Sequence, residues 1–174
     1  MWLNVGLISV NREAFEIIIA TVPDFQPQYQ KFLVDWQGED TPWYLAMGEL
    51  AHYVVECYDR GDTGRYQQLF SEVERVLRNG DCEVQNLVWV GLLEDIQNIA
   101  SHRSFGPDVF LEWLGPQSLM AWDQINRGMQ KVAEWAAQNP RSGGAGSIDP
   151  LAALPEVKDS KLRRIIEQMY RKNR

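Results

Sequence analysis

At 174 residues, with 45% hydrophobic and 24% charged residues, the chain has the composition of one well-buried globular core rather than of a disordered polymer. Its net charge of −7 is uneven: residues 1–140 carry 9 Lys+Arg against 20 Asp+Glu, whereas residues 141–174 carry 8 against 4. Such an acidic body repels nucleic-acid phosphate, and no apolar stretch reaches the roughly 20 residues of a membrane-spanning helix.

"MWLNVGLISV" lacks the basic start of a secretory signal. Within it Leu3, Val5 and Leu7 alternate too briefly to carry a sheet. Asn11 is placed to cap a helix to about Thr21, with Phe15, Ile18 and Ile19 on one stripe. A second helix is expected from Asp24, with Pro27 tolerated in its first turn. The third runs from Thr41 as N-cap and Pro42 as first residue to Gly61, with Leu50, Ala51, Val54, Val55 and Tyr58 at helical spacing. A fourth carries Tyr66, Leu69, Phe70, Val73, Val76 and Leu77 on its stripe and stops at Gly80.

Asp81 then caps "EVQNLVWVGLLEDIQN", residues 83–98. At about 100° per residue this segment is apolar nearly all round, as a helix buried among neighbours is. Its two Gln-Asn pairs point in different directions, which suits tying adjacent elements together. Gly91 fits a close helix crossing. Asp95 stands out, because its direction sets a carboxylate near the apolar side. "SHRSFGPD" reads as a loop, "PDVFLEWLGP" as a short helix and "QSLMAWDQINRGMQKVAEWAAQNP" as the long last helix of the body.

The expected fold is therefore all-α: an antiparallel multi-helix array, in the style of a helical-repeat bundle but without a fixed period, followed by a C-terminal amphipathic helix. Three regions follow: an acidic domain over residues 1–139, a Gly/Ser-rich linker over 140–150 and a basic amphipathic helix over 151–174. The last carries Leu162, Ile165, Ile166, Met169 and Tyr170 between basic residues. It suits docking on the acidic body, seizing a partner, or lying on an anionic surface.

Catalytic signatures are weak. Glu49-x-x-His52 with Glu56 has metal-ligand spacing on one helix face, but a dinuclear bundle site needs a second copy, so no metal or cofactor is expected. Cys57 and Cys82 form no framework, and whether they pair is left open by spacing alone. Free thiols fit a cytoplasmic protein. Asp81 and Glu83 oppose activation of Cys82 at its helix start. Nucleotide-loop, hydrolase-elbow and zinc-protease motifs are missing. More suggestive is the loop holding Trp36, Glu39, Asp40 and Trp43, with Glu49 and Glu56 beyond it. Tryptophan beside carboxylates has the composition of a hot spot for a basic partner, and equally of core tryptophans beside a solvated acidic surface.

Across residues 11–126 the sequence resembles a bacterial family of small all-helical proteins of unknown function. The resemblance is carried most specifically by Gly80-Asp81, Glu83 to Leu87, Val90-Gly91, Leu93 to Asp95 and Gln97-Asn98. Members are similar in size and acidity to immunity proteins of interbacterial toxin systems. The resemblance implies a non-enzymatic protein that neutralises a basic toxin domain by direct binding, with Glu39, Asp40, Trp43, Glu49 and Glu56 as candidate contacts. The alternative is an intracellular helical adaptor acting through its basic tail.

Overall fold

The computed structural model describes residues 11–138. Two units divide the chain, Met1–Ala133 and Glu134–Arg174. The packing given below is that of the first; of the second, only residues 134–138 are described, as the end of the last helix. Leu3, Val5 and Leu7, the linker at 140–150 and the tail helix at 151–174 lie outside the described residues. Every regular element among those described is helical, with no strand, as the periodicity required.

Helix α1, Asn11–Ile19, buries Ala14, Phe15, Ile18 and Ile19, the stripe its spacing predicts. A single 3-10 turn, Pro23–Phe25, then precedes α2, Gln26–Asp35. The second helix thus begins two residues later than Asp24, with a proline in its first turn where the missing N–H costs nothing. Helix α3, Trp43–Asp59, starts one residue later than expected: Pro42 is the cap, and no side chain caps it. Its end is as anticipated, with Gly61 at φ 76, the left-handed position that a glycine after a helix adopts without strain.

Helix α4, Tyr66–Asn79, turns sharply into α5, Cys82–Val88. Gly80 occupies the corner because a Cβ there would lie 2.7 Å from the carbonyl oxygen of Val76 and 2.7 Å from Cγ1 of Val84. Asp81 accepts from the backbone N–H groups of Glu83 and Val84 at 3.0 and 2.9 Å. The amide of Gln85 donates to the carbonyls of Leu77 and Gly80, both at 3.0 Å, so the frayed end of α4 is satisfied by the helix that follows.

Residues 82–101 form one continuous helix in three parts: α5, a π turn at Trp89–Glu94, and α6, Asp95–Ser101. Its backbone stays right-handed helical at both junctions, as at Asp95 with φ −66 and ψ −39. The buried central helix is therefore present, but it is not apolar all round. Val90 is 45% exposed, in line with the exposed Glu83, Asn86 and Asn98. The wider π turn shifts the register that a uniform helix would keep. Farther on, the short helix expected at "PDVFLEWLGP" is a 3-10 helix over residues 107–113, and α7 runs Pro116–Gln138.

Helix α3 packs chiefly against the π turn and α6, and α1 lies against α3, α4 and α5. Two aromatic groups fill the interior. Phe15 meets Phe25, Tyr29 and Trp43, and Phe110 meets Tyr58, Tyr66 and Phe70. Gln97, fully buried, donates to the backbone carbonyl of Trp122 at 3.0 Å. Both glutamines of the Gln-Asn pairs thus tie neighbouring elements together, as their diverging directions suggested.

Candidate functional site

The charge of the first unit is segregated along the sequence in a way that its fold concentrates. Residues 32–59 and 79–102 contain no Lys or Arg. The first stretch holds Asp35, Glu39, Asp40, Glu49, Glu56 and Asp59, and the second holds Asp81, Glu83, Glu94 and Asp95. These stretches include α3 and the helix at 82–101, which pack on each other. The result is a pair of helices with only negative charge.

Where the two helices cross, each presents a glycine. A Cβ on Gly91 would lie 3.0 Å from Cβ of Met47 and 3.4 Å from Cδ1 of Tyr44, so the π turn and α3 touch almost backbone to side-chain root. Gly91 is thus at a close crossing, as its position suggested. Gly48, which periodicity did not single out, is its counterpart on α3. A Cβ there would meet Oδ2 of Asp95 at 3.0 Å and nothing else within 4 Å. Gly48 and Asp95 are both half-buried, and Tyr44 beside them is 48% exposed.

Asp95 has no hydrogen-bond partner among the described residues, unlike Asp81, Gln85 and Gln97 on the same helix. Burial, helped by the neighbouring charge of Glu94, pushes its carboxyl up to about 6. An uncompensated carboxylate of this kind weakens the fold, and such groups cluster at functional sites. A π turn within an α-helix has the same tendency.

The candidate contacts named from sequence spread along α3 rather than meeting at one point. Glu39 and Asp40 are exposed on the loop before it, and Glu56 is exposed near its far end, about 20 Å away at 1.5 Å per residue. Glu49 is half-buried and accepts from Nε2 of Gln28 at 2.8 Å. Trp43 is half-buried, with its ring 5.9 Å from that of Phe15. Trp36 is 3% exposed and belongs to the core. Of the two readings of this aromatic loop, the core reading holds for Trp36, while Trp43 straddles core and surface. Among the described residues no group of three His, Cys, Asp or Glu side chains is placed to hold a metal ion, so Glu49, His52 and Glu56 share a helix without forming a cage.

A separate concavity of about 200 Å³ is lined by Asp24, Tyr53, Cys57, Asp62, Arg65 and Tyr66, among others. Burial raises the Cys57 thiol, outweighing the lowering by Tyr53 and Arg60. Burial likewise raises the phenols of Tyr53 and Tyr66, and the Tyr66 hydroxyl donates to the carbonyl of Val54. These groups stay neutral, and the pocket offers no activated nucleophile. Cys57 is buried and Cys82 exposed, and both are free thiols.

A carboxylate outside both places does the most structural work. Glu74 on α4, 7% exposed, reaches the first turn of α7, where the N–H groups of Gln117 and Ser118 and the Ser118 hydroxyl donate to it at 2.8–3.1 Å. Burial alone would raise its pKa, but these donors and Arg78 outweigh it and hold the carboxyl below its ordinary value. Nothing in the local sequence distinguishes Glu74 from a surface glutamate, because the N–H groups it caps lie more than forty residues away.

No described helix is long and apolar enough to cross a membrane. Residues 15–130 match the model of the family described as Domain of unknown function (DUF7674), and the chain belongs to that family. No curated protein and no solved structure matches the chain.

Proposed function

We propose that this chain is a non-enzymatic protein-binding domain of the immunity type, which neutralises a toxin by covering a basic surface of it. The observation that carries the reading is the pairing of α3 with the helix at 82–101. Together with the loop before α3 they bring eight carboxylates and no Lys or Arg to adjacent elements. A field of one sign speeds encounter with an oppositely charged protein and sets its orientation. Glu39, Asp40, Trp43, Glu49 and Glu56 contribute in this reading by position: Glu39, Asp40 and Glu56 as exposed charge, Trp43 as a half-exposed aromatic edge.

The test is co-expression with the protein encoded next to this one, scored for rescue of growth and for co-purification. Neither rescue nor a complex would overturn the reading. In a complex, Glu39→Lys with Asp40→Lys should slow association at low salt and lose that effect at high salt. Deleting residues 141–174 separates the adaptor alternative, in which binding through the basic tail disappears, from binding through the acidic body, which persists.

A further inference from the structure

Two features at one spot each lower the stability of this fold and go uncompensated there. Gly48 sits in the interior of α3, where glycine is the least favourable residue after proline. The close approach of the two helices is served by Gly91, whose Cβ would meet Met47; a Cβ on Gly48 would meet only the far end of one side chain. That side chain is Asp95, the half-buried carboxylate without a hydrogen-bond partner among the described residues. Gly48 therefore leaves a notch, with its backbone as floor and the Asp95 carboxylate as one wall. The exposed ring of Tyr44 stands beside it, within contact of the Gly91 position.

We propose that this notch is a docking point for an arginine side chain of a partner protein, with the guanidinium on Asp95 and its stem over Tyr44. This rests on the reading of the acidic body as a binder of basic proteins, and assigns the contact within it. Charge complementarity selects the occupant: Glu94 adds to the negative field, and neither helix carries a lysine or arginine that could fill the notch from within. Arginine fits better than lysine. Its planar fork makes two parallel hydrogen bonds to one carboxylate, and its face stacks on a tyrosine ring. Binding would give Asp95 the protein hydrogen bonds that no described residue supplies to it.

The experiment uses the full chain, isotope-labelled for NMR, titrated with capped arginine, capped lysine and capped citrulline. Citrulline has the shape of arginine without its charge. Arginine should produce saturable shifts confined to Tyr44, Gly48, Gly91 and Asp95 at millimolar concentration, lysine weaker ones, and citrulline none. Asp95→Asn, and separately Gly48→Ala, which fills the notch without changing charge, should each weaken arginine binding at least tenfold while the rest of the spectrum stays folded. Equal shifts from citrulline, shifts confined to Glu39 and Asp40, or full binding by both variants would overturn the notch. A toxin that binds the chain while arginine leaves Gly48 and Asp95 unmoved also overturns it, and leaves the protein-binding reading standing.

Discussion

Glu74 and Ser118, on α4 and α7, are joined twice through a single oxygen: the Ser118 backbone N–H donates to Oε2 at 3.0 Å and its hydroxyl at 2.8 Å. The carboxylate thus caps a helix in another part of the chain, where the orphan N–H groups and the helix dipole both favour negative charge. Glu74→Gln keeps the size but faces an NH2 group toward these donors, and should cost about 2–3 kcal/mol. Because the folded carboxyl lies below its ordinary value of 4.5, its contribution is complete above that value and is lost as pH falls through the folded pKa. Urea denaturation from pH 6 to pH 3 should show this acid loss in the wild type and not in the variant.

Gly115 makes that cap possible. A Cβ on it would lie 2.6 Å from Cδ of Glu74 and 2.7 Å from Oε2, so Gly115→Ala forces the carboxylate off its donors. The expected loss is about 2–4 kcal/mol. Gly128, on α7, has nothing within 4 Å of its Cβ position, and Gly128→Ala should instead stabilise by up to about 1 kcal/mol. Opposite shifts in melting temperature from one substitution type would confirm that contact, not helix propensity, decides at Gly115; equal shifts would refute it.

What the sequence disclosed and what it hid divide along physical lines. Asp81 as a cap, Gly61 as a helix end and the stripes of α1 and α4 follow from local rules, and the structure has them all. The two glutamines were legible as ties, but their acceptors, the ends of α4 and the carbonyl of Trp122, were not. The π turn escaped because a uniform 100° wheel cannot show a change of helix type, and the same wheel misjudged how exposed Val90 is. The short helix at residues 107–113 was legible, but not that it winds as a 3-10 helix. Asp95 was visible as a carboxylate on the wrong side. Its meeting with Gly48 needed the tertiary crossing, since the two lie on different helices.

Asp95→Asn should make the protein more stable at neutral pH. Its folded carboxyl titrates at about 6 against an ordinary value of 3.8, so the protein is favoured by protonation below about pH 4 and loses that benefit as pH rises through 6. The difference corresponds to about 3 kcal/mol in a dry site, and solvent reaching the half-buried group reduces it to about 1–2 kcal/mol. Melting curves between pH 4 and pH 8 should fall more steeply for the wild type than for the variant. This window lies above that of Glu74 and slopes the other way, so the two groups can be read from one pH series. A variant no more stable than the wild type at pH 7 would mean that Asp95 has found a partner in solution.

Gly48→Ala tests whether the crossing of α3 and the π turn needs a glycine on both helices. Replacing Gly91 would press a methyl group to 3.0 Å from Cβ of the fully buried Met47, a root fixed by packing, and should destabilise by about 1–3 kcal/mol. At Gly48 the same methyl group meets one carboxylate oxygen at 3.0 Å, at the free end of a side chain that can rotate away. Helix propensity then dominates, and Gly48→Ala should gain up to about 1 kcal/mol. A fold that becomes firmer when Gly48 is filled, while the carboxylate beside it stays uncompensated, has kept two weaknesses at one notch. If thermal unfolding shows Gly48→Ala to be as damaging as Gly91→Ala, the glycine serves the helix crossing rather than an open notch.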